Sequence, residues 1–281
     1  VDPKDATHRL LELFGEVLAA MEQGGKVGMM EALKRVAVDL ARIPMKVPAK
    51  EVPTILLVGE IYVRSEGLAR RWLPEYLASH GIATYTAPVH EWVHYTNYAF
   101  AHQLNDLQTT RRQRLSHRLK WIVMTKAERD VKQILARSRW LAPRMVDVDL
   151  LVKSGSQFIS PNLIGEAILT VGGALAEVGT HFCGSIAIGP FGCMPNRLAE
   201  SVLNLNFDRE HLLRFRKDRE TDRVTARVDT MPFLAIESDG SPFPQIIEAR
   251  LETFVLQAKR MHDVMQESKP SAFHIPKAAV Y

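Results

Sequence analysis

An α/β fold built on a parallel sheet is predicted by three observations. Four short apolar runs, 54–58 (TILLV), 82–86, 185–188 and 233–236, have the length and composition of buried strands. Segments with apolar residues at helical spacing separate them, the pattern of βαβ units. Each run also ends in turn formers and chemically active side chains: Gly59-Glu60-Ile61-Tyr62, His90-Glu91-Trp92, residues 189–193, and 237–240. In an open parallel sheet ligands sit outside the carboxyl ends of the strands, so all four patches are expected on one rim.

The 281 residues suffice for one large α/β domain or two smaller ones. Hydrophobic content of 46% and charged content of 24% are those of an ordinary soluble globular protein. No run of about 18 apolar residues occurs, so no membrane-spanning helix is expected. The start, Val1-Asp2-Pro3-Lys4, resembles no signal peptide and lacks an initiator Met, so a longer parent chain is expected.

In chain order, residues 8–21 place Leu10, Leu13, Phe14, Val17, Leu18 and Met21 at helical spacing up to Gly24-Gly25, and 29–41 form a second amphipathic helix. Pro44, Pro48 and Pro53 then break the pattern. Residues 1–50 read as a helical brace or the end of a preceding domain, and 51–265 as the α/β domain. Within it, 68–79 is mostly helical, with Pro74 as a kink or restart. Residues 92–139 are helical and basic, too long for one crossover, and read as an insertion over about 92–145. A polar loop is expected at 143–161 and a helix at 162–178, with Gly172-Gly173 inside it or near its end. In the charged stretch 207–230, alternation of Val224, Ala226 and Val228 allows an edge strand at 222–229. The last helix covers 246–261, and 266–281 is an extended tail.

Charge is uneven. Between Arg111 and Arg144 eleven Lys/Arg face two acids, Glu128 and Asp130, about +9 by this count. A solvated helical face comes first among its readings, a docking surface for a partner module second. Nucleic acid comes third, because no nucleic-acid fold signature accompanies Trp121 and Trp140.

The segment 185–203, SIAIGPFGCMPNRLAESVL, carries the most specific chemistry. A strand is stopped by Gly189 and Pro190, Gly192 allows a tight turn, and Pro195 suits the first helical position. Cys193 lies in the turn just before the helix. Unpaired N–H groups and the positive end of the helix dipole there favour a thiolate, the form that ligates a metal or cluster. A small packed hydrophobe is the plain alternative. The other cysteine, Cys183, sits at the far end of the strand. Five extended steps span roughly 16 Å, beyond the ~7 Å that a disulfide bridges, and a reducing, cytoplasmic setting fits.

Glu60 and Glu237 are candidates for hydrogen-bonding around such a centre, or for capping helices and turns. Tyr62, His90 and Trp92 are candidates for lining a pocket, or for packing at strand ends. His90-Glu91-Trp92-Val93-His94 also fits H-E-x-x-H, which binds zinc when both His share a helix face and a third ligand exists. Asp239-Gly240 reads as turn chemistry.

The strings GPFGCMPNRLAESVL and PFLAIESDGSPFPQIIEARLETFVLQAKR resemble the C-terminal part of 2-hydroxyacyl-CoA dehydratase-related proteins. The branch resembled is that of the large CoA-enzyme activases, which join an ATPase module to dehydratase-like domains. GEIYVR, the Pro88/Glu91/Trp92 stretch and SPNLIGEAIL are similar to the same branch, so the likeness runs from about Thr54 to Arg260.

The resemblance implies a flavodoxin-like α/β domain that pairs with a similar upstream domain. It implies a 4Fe–4S-type cluster with Cys193 as the one ligand carried over, in surroundings that include Gly189, Pro190, Phe191, Gly192, Met194 and Pro195. An ATP-driven activator would supply the electron and a CoA thioester the substrate. The other cluster cysteines and any activator nucleotide motif are absent from this sequence, so the remaining ligands would lie outside this segment. The rival expectation is a non-catalytic flavodoxin-like interaction or small-ligand domain with a packed Cys193.

Overall fold

The computed structural model describes residues 3–104 and 110–268. Four strands, β1 (Thr54–Gly59), β2 (Ala83–Thr86), β3 (Ser185–Pro190) and β4 (Phe233–Ser238), form one all-parallel sheet in the order β2-β1-β3-β4. This is an open flavodoxin-like arrangement, and its topological switch point lies between β1 and β3. The expected α/β fold is what the chain adopts.

The chain divides into two compact units. One comprises Val1–Val52 with Val93–Asp147, and the other Pro53–Trp92 with Val148–Tyr281. The sheet belongs to the second. Its strands read as unbroken apolar runs because helices cover both faces: Ile55, Leu57, Ile186, Ile188 and Ile236 have no accessible surface. Helices α7 (Glu166–Glu177) and α8 (Met194–Asn206) cover the face carrying Leu56, Val58 and Gly189. On the opposite face α11 (Gln245–Ser268) sets Phe254 against Gly184. Helix α3 (Leu73–Ser79) begins at Leu73 with Pro74 in its first turn, so Pro74 restarts the helix.

In the other unit α1 (Pro3–Ala41) folds back on itself at Gly25, whose φ of 55° and ψ of −145° interrupt the helix. Leu13 then packs on Val36 and Leu40 of the second arm. Helix α4 (Val89–Ala101) begins after β2, and α5 (Arg111–Ala136) starts with a capping box between Thr110 and Gln113. Within this unit Ile134 of α5 packs on Leu33 and Ala37 of α1.

Three expectations are overturned. Residues 143–161 are not a loop throughout: α6 (Val148–Gly155) forms there and buries Val148, Leu151 and Val152. It is held by a crossing with α7 so close that a Cβ on Gly172 would lie 1.9 Å from the Leu151 carbonyl oxygen. The edge strand at 222–229 is absent. The charged stretch 207–230 instead contains α9 (Arg209–Phe215) and α10 (Arg219–Thr225), capped by the carboxylates of Asp208 and Asp218, and 226–229 follow α10 as a turn. The alternating Val224 is buried by α10, and only an isolated antiparallel bridge, Asp208 to Thr230, remains. The tail does not begin at 266, because α11 continues to Ser268; the rest of the expected tail lies outside the described residues.

Candidate functional site

All four predicted patches follow carboxyl ends of strands in one parallel sheet, and therefore share its rim. The centre of that rim is the switch point, where β1 leads to Glu60 and β3 to Cys193. Gly59 makes this juncture possible. At φ 105° its amide plane turns so closely against β3 that a Cβ would lie 2.1 Å from the Ile188 carbonyl oxygen. The Glu60 N–H then donates to that same oxygen at 2.9 Å.

Cys193 is the N-cap of α8 and is partly exposed, whereas Cys183 is buried. Its N–H donates to the Pro190 carbonyl at 3.1 Å, and its own carbonyl accepts from Arg197 N–H at 2.9 Å. Met194, and not Pro195, is the first helical residue; Pro195 follows it in the same turn. Gly192, at φ 72°, donates its N–H to Glu237 Oε1 at 3.1 Å, and Arg197 Nε approaches the same oxygen at 3.1 Å. Glu237 thus fixes the Cys193 turn through a backbone amide. Phe191 and Met194, on either side, are 81% and 71% exposed, and Tyr62 after β1 is 66% exposed. Beneath the turn the buried Asn196 amide packs against Gly189, where a Cβ would come within 3.0 Å of it.

Glu60 caps α2 (Ile61–Ser65), accepting from Val63 N–H at 2.7 Å. Beside it lies a cluster that pattern reading did not assemble: Arg64, Glu91 and Glu166. Arg64 is buried and donates to the Gly59 carbonyl at 2.6 Å, with Glu91 Oε1 3.8 Å from its other terminal nitrogen. Glu166, first residue of α7, accepts from Ile61 N–H at 3.0 Å. Burial pushes the Glu91 carboxyl up to about 7, against the attraction of Arg64 and with help from Glu166. Burial also raises Glu166, against the Ile61 N–H and Arg64. Arg64 and Glu166 were present in the strings GEIYVR and SPNLIGEAIL, but each reads locally as an ordinary helix residue.

The H-E-x-x-H segment does lie on one helix, α4. His94 Nε2, however, meets Glu128 Oε2 at 2.8 Å, and Lys132 and the Val146 N–H hold the other carboxylate oxygen. Burial alone would raise Glu128; Lys132 and His94 hold it down at about 2. His94 is thereby held by Glu128, whose other oxygen pairs with Lys132. Among the described residues no three His, Cys, Asp or Glu side chains gather to hold a metal. His90 and Trp92 are half-buried on α4, and Asp239 accepts from Ser241 N–H at 2.8 Å, a turn contact. No helix among the described residues is long and apolar enough to cross a membrane.

Compared with protein-family models, curated proteins and solved structures, the chain matches none.

Proposed function

We propose that this chain is one half of a composite redox site in a protein related to the 2-hydroxyacyl-CoA dehydratases and their activases. Cys193 is the ligand it contributes to an iron–sulfur cluster. The observation that carries this reading is the placement of Cys193, a partly exposed thiol capping α8 outside the switch point, between exposed Phe191 and Met194. Large apolar side chains around an accessible thiol favour a surface that a partner covers.

The chain alone does not fit a complete cluster. Cys183 is buried at the opposite end of β3, and no metal-holding group gathers around Cys193 among the described residues. On this reading the other ligands come from an upstream dehydratase-like domain. The electron comes from an ATPase activator module, the substrate is a CoA thioester, and the setting is the reducing cytoplasm.

The native assembly, purified without oxygen, is expected to contain iron and sulfide. Cys193→Ser is expected to remove most of the iron while the circular dichroism stays unchanged; full iron retention overturns the proposal. On this chain alone, iodoacetamide is expected to label Cys193 rapidly. Cys183 stays unlabelled until the chain unfolds, since its thiol donates to the Thr54 carbonyl and burial pushes it up to about 12. A Cys193 as inert as Cys183 would favour the interaction or small-ligand domain with a packed cysteine.

A further inference from the structure

The outward face of α5 is apolar where a solvated helix would be polar. Two contacts fix which face is inward: the His117 ring stacks on Phe100 of α4 at 3.6 Å, and Asn97 of α4 approaches the Met124 sulfur at 3.8 Å. By helical spacing, Leu115, Leu119, Ile122 and Val123 lie on the other side, and they are 49–62% exposed. Around them stand Arg111, Arg112, Arg114, Arg118, Lys120 and Lys126, with no acid between Arg111 and Ala127. None of these six cations forms an ion pair among the described residues. The surface is both unpartnered and uncompensated.

The same unit carries a second stripe with the complementary properties. On the first arm of α1, Leu10, Leu11, Phe14, Leu18 and Met21 are 41–62% exposed, while Leu13 and Val17 of that arm pack inward on the second arm. Leu11, Phe14, Leu18 and Met21 repeat at alternating spacings of three and four residues. Leu115, Leu119 and Ile122 follow the same alternation of four and three, so each presents one seam of a helix pair. Between Asp5 and Gln23 this arm has Asp5, Glu12, Glu16 and Glu22 against Arg9 alone. One stripe is set in acid, the other in base.

We propose that the outward stripe of α5 is covered by the first arm of α1 from a second copy of this chain, and reciprocally, in a two-fold dimer. This inference is independent of the cluster at Cys193. Matched heptad spacing and opposite charge favour it over other occupants of the basic face. A nucleic-acid backbone would neutralise the cations and leave the aliphatic stripe in water. A bilayer surface is favoured by aromatic side chains on the apolar face, and Trp121 lies off the stripe.

Light scattering on the purified chain over a wide concentration range is expected to show a reversible monomer–dimer equilibrium that weakens with salt. Leu119→Gln and Phe14→Gln are each expected to weaken dimerisation at least tenfold while leaving the thermal midpoint nearly unchanged at concentrations where the chain is monomeric, because both side chains are exposed in the single chain. In a background of Cys193→Ser, mixing Phe14→Cys chains with Leu119→Cys chains and adding a mild thiol oxidant such as oxidised glutathione is expected to yield a disulfide between the two kinds of chain. A monomer at every concentration, dimers indifferent to both Gln variants, or cross-links only between identical chains would overturn the proposal. So would anionic vesicles or RNA binding the α5 face of a chain that stays monomeric.

Discussion

Gly172→Ala is expected to destabilise the sheet-bearing unit by about 3 kcal/mol, an overpacking cost at the upper end of the usual range. In an isolated helix the same change would stabilise by about 1 kcal/mol, since glycine is a poor helix former. The sign is reversed because α6 crosses α7 at this residue. An added Cβ would lie 1.9 Å from the Leu151 carbonyl oxygen and 2.7 Å from its carbon, and a backbone cannot swing aside as a side chain can. Gly155, on the facing helix, is equally confined, with the Ile168 carbonyl oxygen 2.4 Å from where its Cβ would be. The neighbouring Gly173→Ala is the control. Its Cβ would meet Leu56 and Val58 side chains at 3.5 and 3.7 Å, ordinary contact, so helix propensity decides and stability should rise by about 1 kcal/mol. Urea unfolding midpoints of the two variants should therefore move in opposite directions. If both move the same way, the α6–α7 crossing is not as close as described.

Glu91→Gln is expected to make stability less sensitive to rising pH. In the folded chain burial raises the Glu91 carboxyl from 4.5 to about 7. Below the unfolded value the proton is bound in both states and the group costs nothing. As pH rises from about 4.5 toward 7 the unfolded chain gives up its proton while the folded chain retains it, so stability is lost until the folded carboxyl has ionised too. At about 1.4 kcal/mol per pH unit the loss amounts to about 3 kcal/mol above neutrality. Glutamine has the shape of the neutral carboxyl and nothing to ionise beside Arg64 and Glu166. The variant should match the wild type near pH 4.5 and exceed it by about that amount at pH 8, read as the difference in urea midpoint between them. A constant difference across this range would mean that Glu91 ionises as in the unfolded chain, and that Arg64 offsets the burial.

Much of this architecture was legible before any coordinates. Strands buried on both faces must be apolar at every position, so TILLV and SIAI stood out without periodicity. The turn at Gly24-Gly25 was legible because reversal of a helix there needs a conformation that glycine adopts cheaply. Cys193 was placed in a turn before α8 by Gly189, Pro190, Gly192 and Pro195, residues whose backbone restrictions act locally. The misreadings arose where a local pattern fits two structures. Val224, Ala226 and Val228 alternate like a strand, yet Asp218, with its Thr221 partner, starts a helix that takes in Val224 and ends at Thr225, leaving Ala226 and Val228 in the turn beyond it.

What the sequence by itself determined was the four buried strands in chain order and their chemically marked ends, because turn chemistry and binary pattern act over a few residues. The tertiary structure alone decided that β1 and β3 flank the switch point, so that Glu60 and Cys193 leave the sheet at its centre. It alone joined Arg64, Glu91 and Glu166, which are far apart in the chain, and turned Glu91 from an ordinary carboxylate into one that ionises near neutrality. The physical reason is that desolvation depends on everything packed around a group, and no local stretch of sequence records that.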